Sequence, residues 1–306
     1  MDALLVTSPV EASGKTTIAA GIGRRLKGEG KKVGYLRVGG AGGGSSDAAF
    51  MLKALTLAES MAEIHCEGSV VKVAYDRLPA GKDIVIIEGD WAAAQDIASS
   101  TSARVIVVTA YADDKSPVNV ADYQVFGERL AGVVVNKVPA NRIEAVSRSA
   151  GSVKLLGVIP EDRILFSPTV AELAESIGGE IMVARDKSGQ LVSNFMLGII
   201  GLDRNPGYFG RKEAKAAILR CERSDLQLAA LATPTSCLVL TGGGEVSTSV
   251  LARAEDGQVP VIRVAGETVA VVDALEAAMA GGRMAQEAKL SYLAGVMDRR
   301  FDFSAR

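Results

Sequence analysis

Leu4-Leu5-Val6-Thr7-Ser8-Pro9-Val10-Glu11-Ala12-Ser13-Gly14-Lys15-Thr16-Thr17 joins a short apolar run to a loop closing in Gly-Lys-Thr, and this stretch decides how the fold is read. A strand, such a loop and then a helix can wrap backbone N–H groups around a nucleotide's phosphates, set an ammonium between the β- and γ-oxygens and offer a hydroxyl to Mg2+. Gly14, Lys15 and Thr16 have the residue types and the order for those tasks. The residues after them put Ile18, Ile22 and Leu26 on one side of a helix whose positive dipole end would face the phosphates. The loop departs from the common spacing at Pro9, with Ser8 ahead of it, where a glycine is expected. Taken alone, Gly-Lys-Thr also reads as the start of a surface helix; the strand and helix on either side favour the phosphate loop.

Outward from this stretch, β-branched runs alternate with helical segments, with candidate strands at 3–7, 33–38, 83–88, 104–109, 131–136 and 153–159. Runs such as Val105-Ile106-Val107-Val108 and Val133-Val134-Val135 are apolar on both faces, as buried parallel strands covered by helices are. The first domain is therefore expected to be α/β, a doubly wound, mostly parallel sheet whose ligand loops gather at the carboxyl ends of the strands. A helix at 168–177, opening with Ser167-Pro168-Thr169 and closing at Gly178-Gly179, is expected to end it, with bounds 1–179. Candidate strands near 190–194, 216–220, 236–240 and 259–264 then alternate with helices near 224–232, 246–254 and 267–280, a second, smaller α/β domain over 185–283. A C-terminal helix and tail, 284–306, spaces Leu290, Leu293 and Met297 for a core or a dimer contact. Residues 39–46, glycine-rich, are too flexible to hold one conformation without a ligand or neighbour.

At 306 residues two domains are expected, and 34 basic against 36 acidic residues give no electrostatic argument for nucleic acid or membrane as a partner. The longest apolar runs are too short to span a bilayer and the N-terminus enters a strand without a leader, so the location is expected to be cytoplasmic. Cys66, Cys221 and Cys237 lack metal or disulfide spacing and read as reduced structural thiols. His65, the sole histidine, reads as a partly exposed residue near a helix end and leaves no material for a histidine metal cage or a Ser-His-Asp triad.

Further candidates lie behind the loop. Asp47 follows the glycine-rich stretch and Glu88 ends a buried strand, so both could approach the Thr16 hydroxyl, directly or through water, and complete an oxygen shell for Mg2+. The plainer alternatives are helix capping for Asp47 and a solvent-facing strand end for Glu88. Asn136 and Lys137 leave a strand stopped by Pro139, where an amide could meet a purine edge and a lysine stem cover its face, or where asparagine simply makes a turn.

Thr7 to Thr16, Gly34-Tyr35-Leu36-Arg37, Asp47 to Met51, Ile86-Ile87-Glu88-Gly89, Gly132 to Pro139 and Leu156 to Asp162 follow one another in a significant order, continued by Glu222 to Ala230 and Leu240-Thr241-Gly242-Gly243-Gly244. Together they resemble the dethiobiotin synthetase-like P-loop domain and the DRTGG domain of the N-terminal region of long bacterial phosphate acetyltransferases. The resemblance covers most of residues 1–285. It implies ATP and Mg2+ as cofactors, nucleotide contacts at Glu11, Ala12, Ser13, Gly14, Lys15, Thr16, Thr17, Asn136, Lys137 and Pro160, and metal contacts at Thr16, Asp47 and Glu88. Lys15 and Arg37 stand at the catalytic positions, and the DRTGG domain implies a homodimer and regulatory nucleotide sensing.

Two departures bear on activity. Dethiobiotin synthetases have a catalytic lysine where Arg37 stands, and arginine is a fixed cation with a different donor fork, which argues against dethiobiotin synthesis. Their glycine-rich substrate segment is replaced by Asp90-Trp91-Ala92-Ala93-Ala94, where Trp91 could line a pocket or belong to a core or interface. The chain ends where the acetyltransferase domain would begin, so phosphate acetyl transfer by it alone is not expected. In the second domain the amides of Thr241-Gly242-Gly243-Gly244 could hold a small anionic ligand beside Arg220 or Arg223, or form only a tight turn. The leading expectation is a nucleotide-dependent regulatory or sensor module. An ATP-dependent carbon–nitrogen ligase of the dethiobiotin synthetase or cobyrinic acid diamide synthase type, and a non-catalytic partner of a separate acyltransferase, are the alternatives.

Overall fold

The computed structural model describes residues 1–39, 44–78, 81–112, 123–149, 154–198, 207–280, 286 and 289–305. The chain forms two compact units, Met1–Asp162 with Met284–Arg306, and Arg163–Arg283.

Among the described residues the first unit carries one sheet of β1 (Asp2–Thr7), β2 (Val33–Val38), β3 (His65–Cys66), β4 (Ile84–Gly89), β5 (Arg104–Ala110), β6 (Leu130–Val138) and β7 (Leu155–Pro160), in the order β3-β2-β4-β1-β5-β6-β7. Every pairing is parallel, with Leu5 of β1 opposite both Ile87 of β4 and Val105 of β5. Leu4, Leu5, Val6, Val85, Ile86, Ile87 and Val105 to Val108 are at most 1% exposed, so both faces of these strands are covered, as their unbroken apolar runs require. Connections leaving β1 and β5 run in opposite directions along the sheet. The loops after these two strands therefore diverge, which makes their carboxyl ends the place for a ligand crevice.

The helix Lys15–Gly28 buries Ile18, Ile22 and Leu26, and each such side chain contributes about 1.5–3 kcal/mol. That outweighs the cost of Gly21 and Gly23, about 1 kcal/mol each in a helix interior. Both glycines admit close neighbours: a Cβ at Gly21 would lie 2.8 Å from Met297 and one at Gly23 would lie 2.6 Å from Leu55. The helix Leu290–Arg300 thereby joins the first unit's core, burying Leu290, Leu293, Val296 and Met297. Phe301 bridges Gly157 of β7 in antiparallel fashion, and Asp302 N donates to Leu156 O. Between a core and a dimer contact, the structure places these residues in the core.

The second unit has a five-stranded sheet among the described residues. It consists of β8 (Glu180–Val183), β9 (Asn194–Leu197), β10 (Lys215–Arg220), β11 (Thr235–Thr241) and β12 (Val261–Arg263), ordered β8-β12-β11-β10-β9, with only β8 antiparallel. The helices Ser224–Leu231, Thr248–Asp256 and Thr268–Ala280 fall where periodicity predicts them. The strand expected near 190–194 lies at Asn194–Leu197, and neither β8 nor the two-residue β3 has a clear sequence signature.

The unit boundary differs from the expected residue 179. The helix Val170–Ser176 has the anticipated start, with Thr169 Oγ1 accepting from Glu172 N and Glu172 Oε2 accepting from Thr169 N, and Gly178 after it at φ 60°. Yet Val170, Leu173 and Ala174 pack in one cluster with Ile218, Val239 and Ile262 of the second sheet, and β8 hydrogen-bonds to β12. Burial of that helix face therefore assigns residues 163–179 to the second unit. Of the glycine-rich stretch, 40–43 lie outside the described residues, and the helix Gly44–Ala54 follows.

Candidate functional site

The phosphate loop leaves β1 at Thr7 and ends on Gly14, whose φ of 92° is in the left-handed region. A glycine is also required there by space, because a Cβ would collide with the Asn136 amide. Gly14 supplies no side-chain cap to the helix Lys15–Gly28, and the first turn holds no acidic residue. The positive end of this helix is thus left for an external anion. Among the described residues the buried Ser13 hydroxyl has no hydrogen-bond partner, while its carbonyl accepts from Asn136 Nδ2 at 2.9 Å.

Strand register supplies the acidic and basic side chains. Glu88 of β4 is paired with Val6 of β1 and with Arg37 of β2, which brings the ends of three strands to one place. Thr16 Oγ1 donates to Glu88 Oε1 at 2.7 Å, and Tyr35 OH donates to Oε2 at 3.0 Å. Arg37 Nη1 lies 3.5 Å from Glu88 Oε1 and Nη2 lies 3.5 Å from Asp90 Oδ1, an oxygen that also meets Lys15 Nζ at 3.3 Å. Glu88 is 1% exposed, so burial pushes its pKa upward, against the Arg37 charge and the bonds from Thr16 and Tyr35. Burial also raises the Tyr35 hydroxyl well above its usual value, with the Glu88 charge next in importance. Asp47, in the first turn of the helix Gly44–Ala54, is near enough for its charge to raise both groups.

Lys15, Thr16, Arg37 and Glu88 are thereby brought together, with Asp47 beside them. Asn136 is present too, and its amide, read from the sequence as a purine contact or a turn, donates through Nδ2 to the carbonyl of Ser13 in the loop. Lys137 sits at φ 59° after it; Glu11 is exposed, Ala12 is left-handed at φ 52°, Thr17 is half-buried and Pro160 ends β7, two strands beyond β5. Tyr35 and Asp90 complete the cluster without having been assigned a role by sequence. The signal for Tyr35 was alternation, since Tyr35 and Arg37 share a face of β2, whereas Asp90 follows directly on β4. The donors fit Mg2+, since they are oxygens only and the Thr16 hydroxyl is oriented by a carboxylate; Thr16 would hold the ion, with Glu88 and Asp47 behind it.

Trp91 is partly buried and packs against the core of the first unit. Its ring meets Tyr123 at 6.1 Å and Phe126 at 5.5 Å, edge-on in both cases. In the second unit the proposed anion turn is closed by its own bonds. Gly242 N donates to Gly266 O, Gly243 N to Val264 O, and Gly244 N–H reaches Cys221. Arg220 pairs with Glu222 and Glu267, and Arg223 grips Asp225 at 2.9 Å through two nitrogens. A tight strand-to-helix turn is what these residues make. The thiols are free, and burial pushes Cys66 up to about 11 and Cys237 up to about 12.

Sheet order, phosphate loop and helix together define the class, an α/β protein of P-loop type with a second, smaller α/β domain. That second domain is a DRTGG domain, the family whose model matches residues 172–278. Three solved structures show partial likeness. The CBS and DRTGG domains of the regulatory region of a Clostridium perfringens pyrophosphatase, complexed with its activator diadenosine tetraphosphate, are 11% identical over 52% of this chain and 68% of that one, with a TM-score of 0.32. The MinC:MinD cell division complex of Aquifex aeolicus is 17% identical over 54% of this chain and 83% of that one, with a TM-score of 0.39. The signal recognition particle receptor FtsY of Elizabethkingia anophelis is 16% identical over 44% of this chain and 50% of that one, with a TM-score of 0.30. No described helix is long and apolar enough to cross a membrane.

Proposed function

We propose that the first unit binds ATP with Mg2+ and that the DRTGG domain makes the protein a nucleotide-dependent regulatory or sensor module, cytoplasmic and homodimeric. The observation that supports this reading is the convergence of Lys15, Thr16 and Glu88 at the mouth of a loop whose helix end has no internal cap. Lys15 would neutralise the β- and γ-oxygens, the helix end would hold the phosphates and Thr16 the metal. The ordered segments that resemble the dethiobiotin synthetase-like domain of long phosphate acetyltransferases favour adenine as the base. Isothermal titration with ATP and Mg2+ tests the reading: wild type is expected to bind and Lys15→Ala to lose binding, and a wild type silent at millimolar nucleotide refutes it.

A second reading, an ATP-dependent ligase acting on a small carboxylate, draws on Arg37, whose buried guanidinium meets the same Asp90 oxygen as Lys15. ADP release stimulated by a small carboxylate or diamine would select it, whereas flat basal turnover selects the sensor.

A further inference from the structure

We infer that Asp90 fills the oxyanion position of this site in the unliganded protein, and that the terminal phosphate of a nucleoside triphosphate must displace it. Asp90 is then a specificity-determining residue, an inference that rests on the nucleotide reading above. It is the residue after β4 and opens the turn Trp91–Ala93. An aspartate in that place usually folds its carboxylate back onto the first unpaired N–H groups of the turn. Here the side chain makes no cap hydrogen bond. Oδ1 is turned instead toward Lys15 Nζ at 3.3 Å and Arg37 Nη2 at 3.5 Å, and Oδ2 lies where a Cβ on Gly39 would be only 2.5 Å away. Two cations, one opening the helix Lys15–Gly28 and one near the end of β2, thus share one carboxylate oxygen.

Their satisfaction is incomplete. Both contacts are longer than the roughly 2.7–2.9 Å of strong charge-assisted bonds. Arg37 is 9% exposed, yet its Nε is buried with no hydrogen-bond partner among the described residues, and its other contact, to Glu88, is also 3.5 Å. A buried guanidinium with one idle donor and two long contacts is poised for a better acceptor. The Asp90 side chain, 49% exposed, is held weakly enough to be displaced. A terminal phosphate offers three oxygens and more charge, and its geometry suits an arginine fork and a lysine together. In a triphosphate the γ-phosphate takes both cations from Asp90. In a diphosphate the last phosphate engages Lys15 and leaves Asp90 on Arg37. Asp90 therefore opposes triphosphate binding more than diphosphate binding.

The test is isothermal titration of wild type and Asp90→Ala with ATP and with ADP, Mg2+ present throughout. Asp90→Ala is expected to tighten ATP about fivefold while ADP changes by less than about twofold, so the ATP-to-ADP preference rises. Asp90→Asn, which keeps the volume and removes the charge, is expected to move the ratio the same way. A ratio unchanged or lowered in both variants, with nucleotide still bound, overturns the role of Asp90 alone. Failure of both nucleotides to bind wild type and variants overturns the nucleotide reading and this inference with it.

Discussion

Replacing Asn136 with alanine distinguishes a residue that reads the base from one that holds the phosphate loop in shape. The amide donates to Ser13 O at 2.9 Å, and Asn136 is 7% exposed. Alanine removes the donor and leaves a buried carbonyl unsatisfied, at a cost of about 2 kcal/mol. For a unit of this size that lowers the melting midpoint by about 4–8 °C. Trp91, the sole tryptophan, packs edge-on against Tyr123 and Phe126 in the first unit, so its fluorescence reports the relevant transition. The variant is expected to melt earlier without ligand and to bind ATP and GTP more weakly by a similar factor. An unchanged midpoint together with a lost preference between ATP and GTP would refute the reasoning and restore Asn136 as a base contact.

Two further outcomes follow from buried titratable groups. Glu88 holds its proton more tightly folded than unfolded, so its contribution to stability falls as pH rises from about 4.5 through its raised folded value. Glu88→Gln is expected to gain on wild type in urea midpoint over that window, and a difference constant from about pH 4 to 8 would count against it. Lys215 is fully buried, donating to Thr233 Oγ1 and Pro234 O, and burial lowers its pKa to about 8. Because the folded state releases this proton first, stability rises between about pH 8 and 10.5, by about 3 kcal/mol in all. Lys215→Met, followed by circular dichroism, is expected to flatten that rise; an equally steep variant would contradict it.

How the site was legible differs from residue to residue. Lys15 and Thr16 were readable because a phosphate loop is local: its geometry is written in consecutive residues. Glu88 was readable as a strand-end residue and Arg37 through the family resemblance, but their adjacency is a matter of register between β2 and β4. The contact of Asn136 with the loop was not legible, since nothing in its own neighbourhood announces that Gly14 lies close against its amide. The Thr241-Gly242-Gly243-Gly244 turn shows the same limit. Its glycines advertise available amides, but Val264 and Gly266, which follow β12 and are distant in sequence, accept from Gly243 and Gly242.

By itself the sequence determined the two α/β domains, the parallel first sheet and the phosphate loop, because apolar period, glycine placement and helix punctuation act over a few residues. Tertiary structure alone decided where one unit ends and the other begins, since the helix Val170–Ser176 is assigned by the core it buries against. It alone returned the C-terminal helix to the first unit, where Gly21 makes room for Met297. It also decided that Lys15 and Arg37 meet on Asp90, because a shared oxygen between side chains far apart in the chain is a property of strand order and register, which no local pattern encodes.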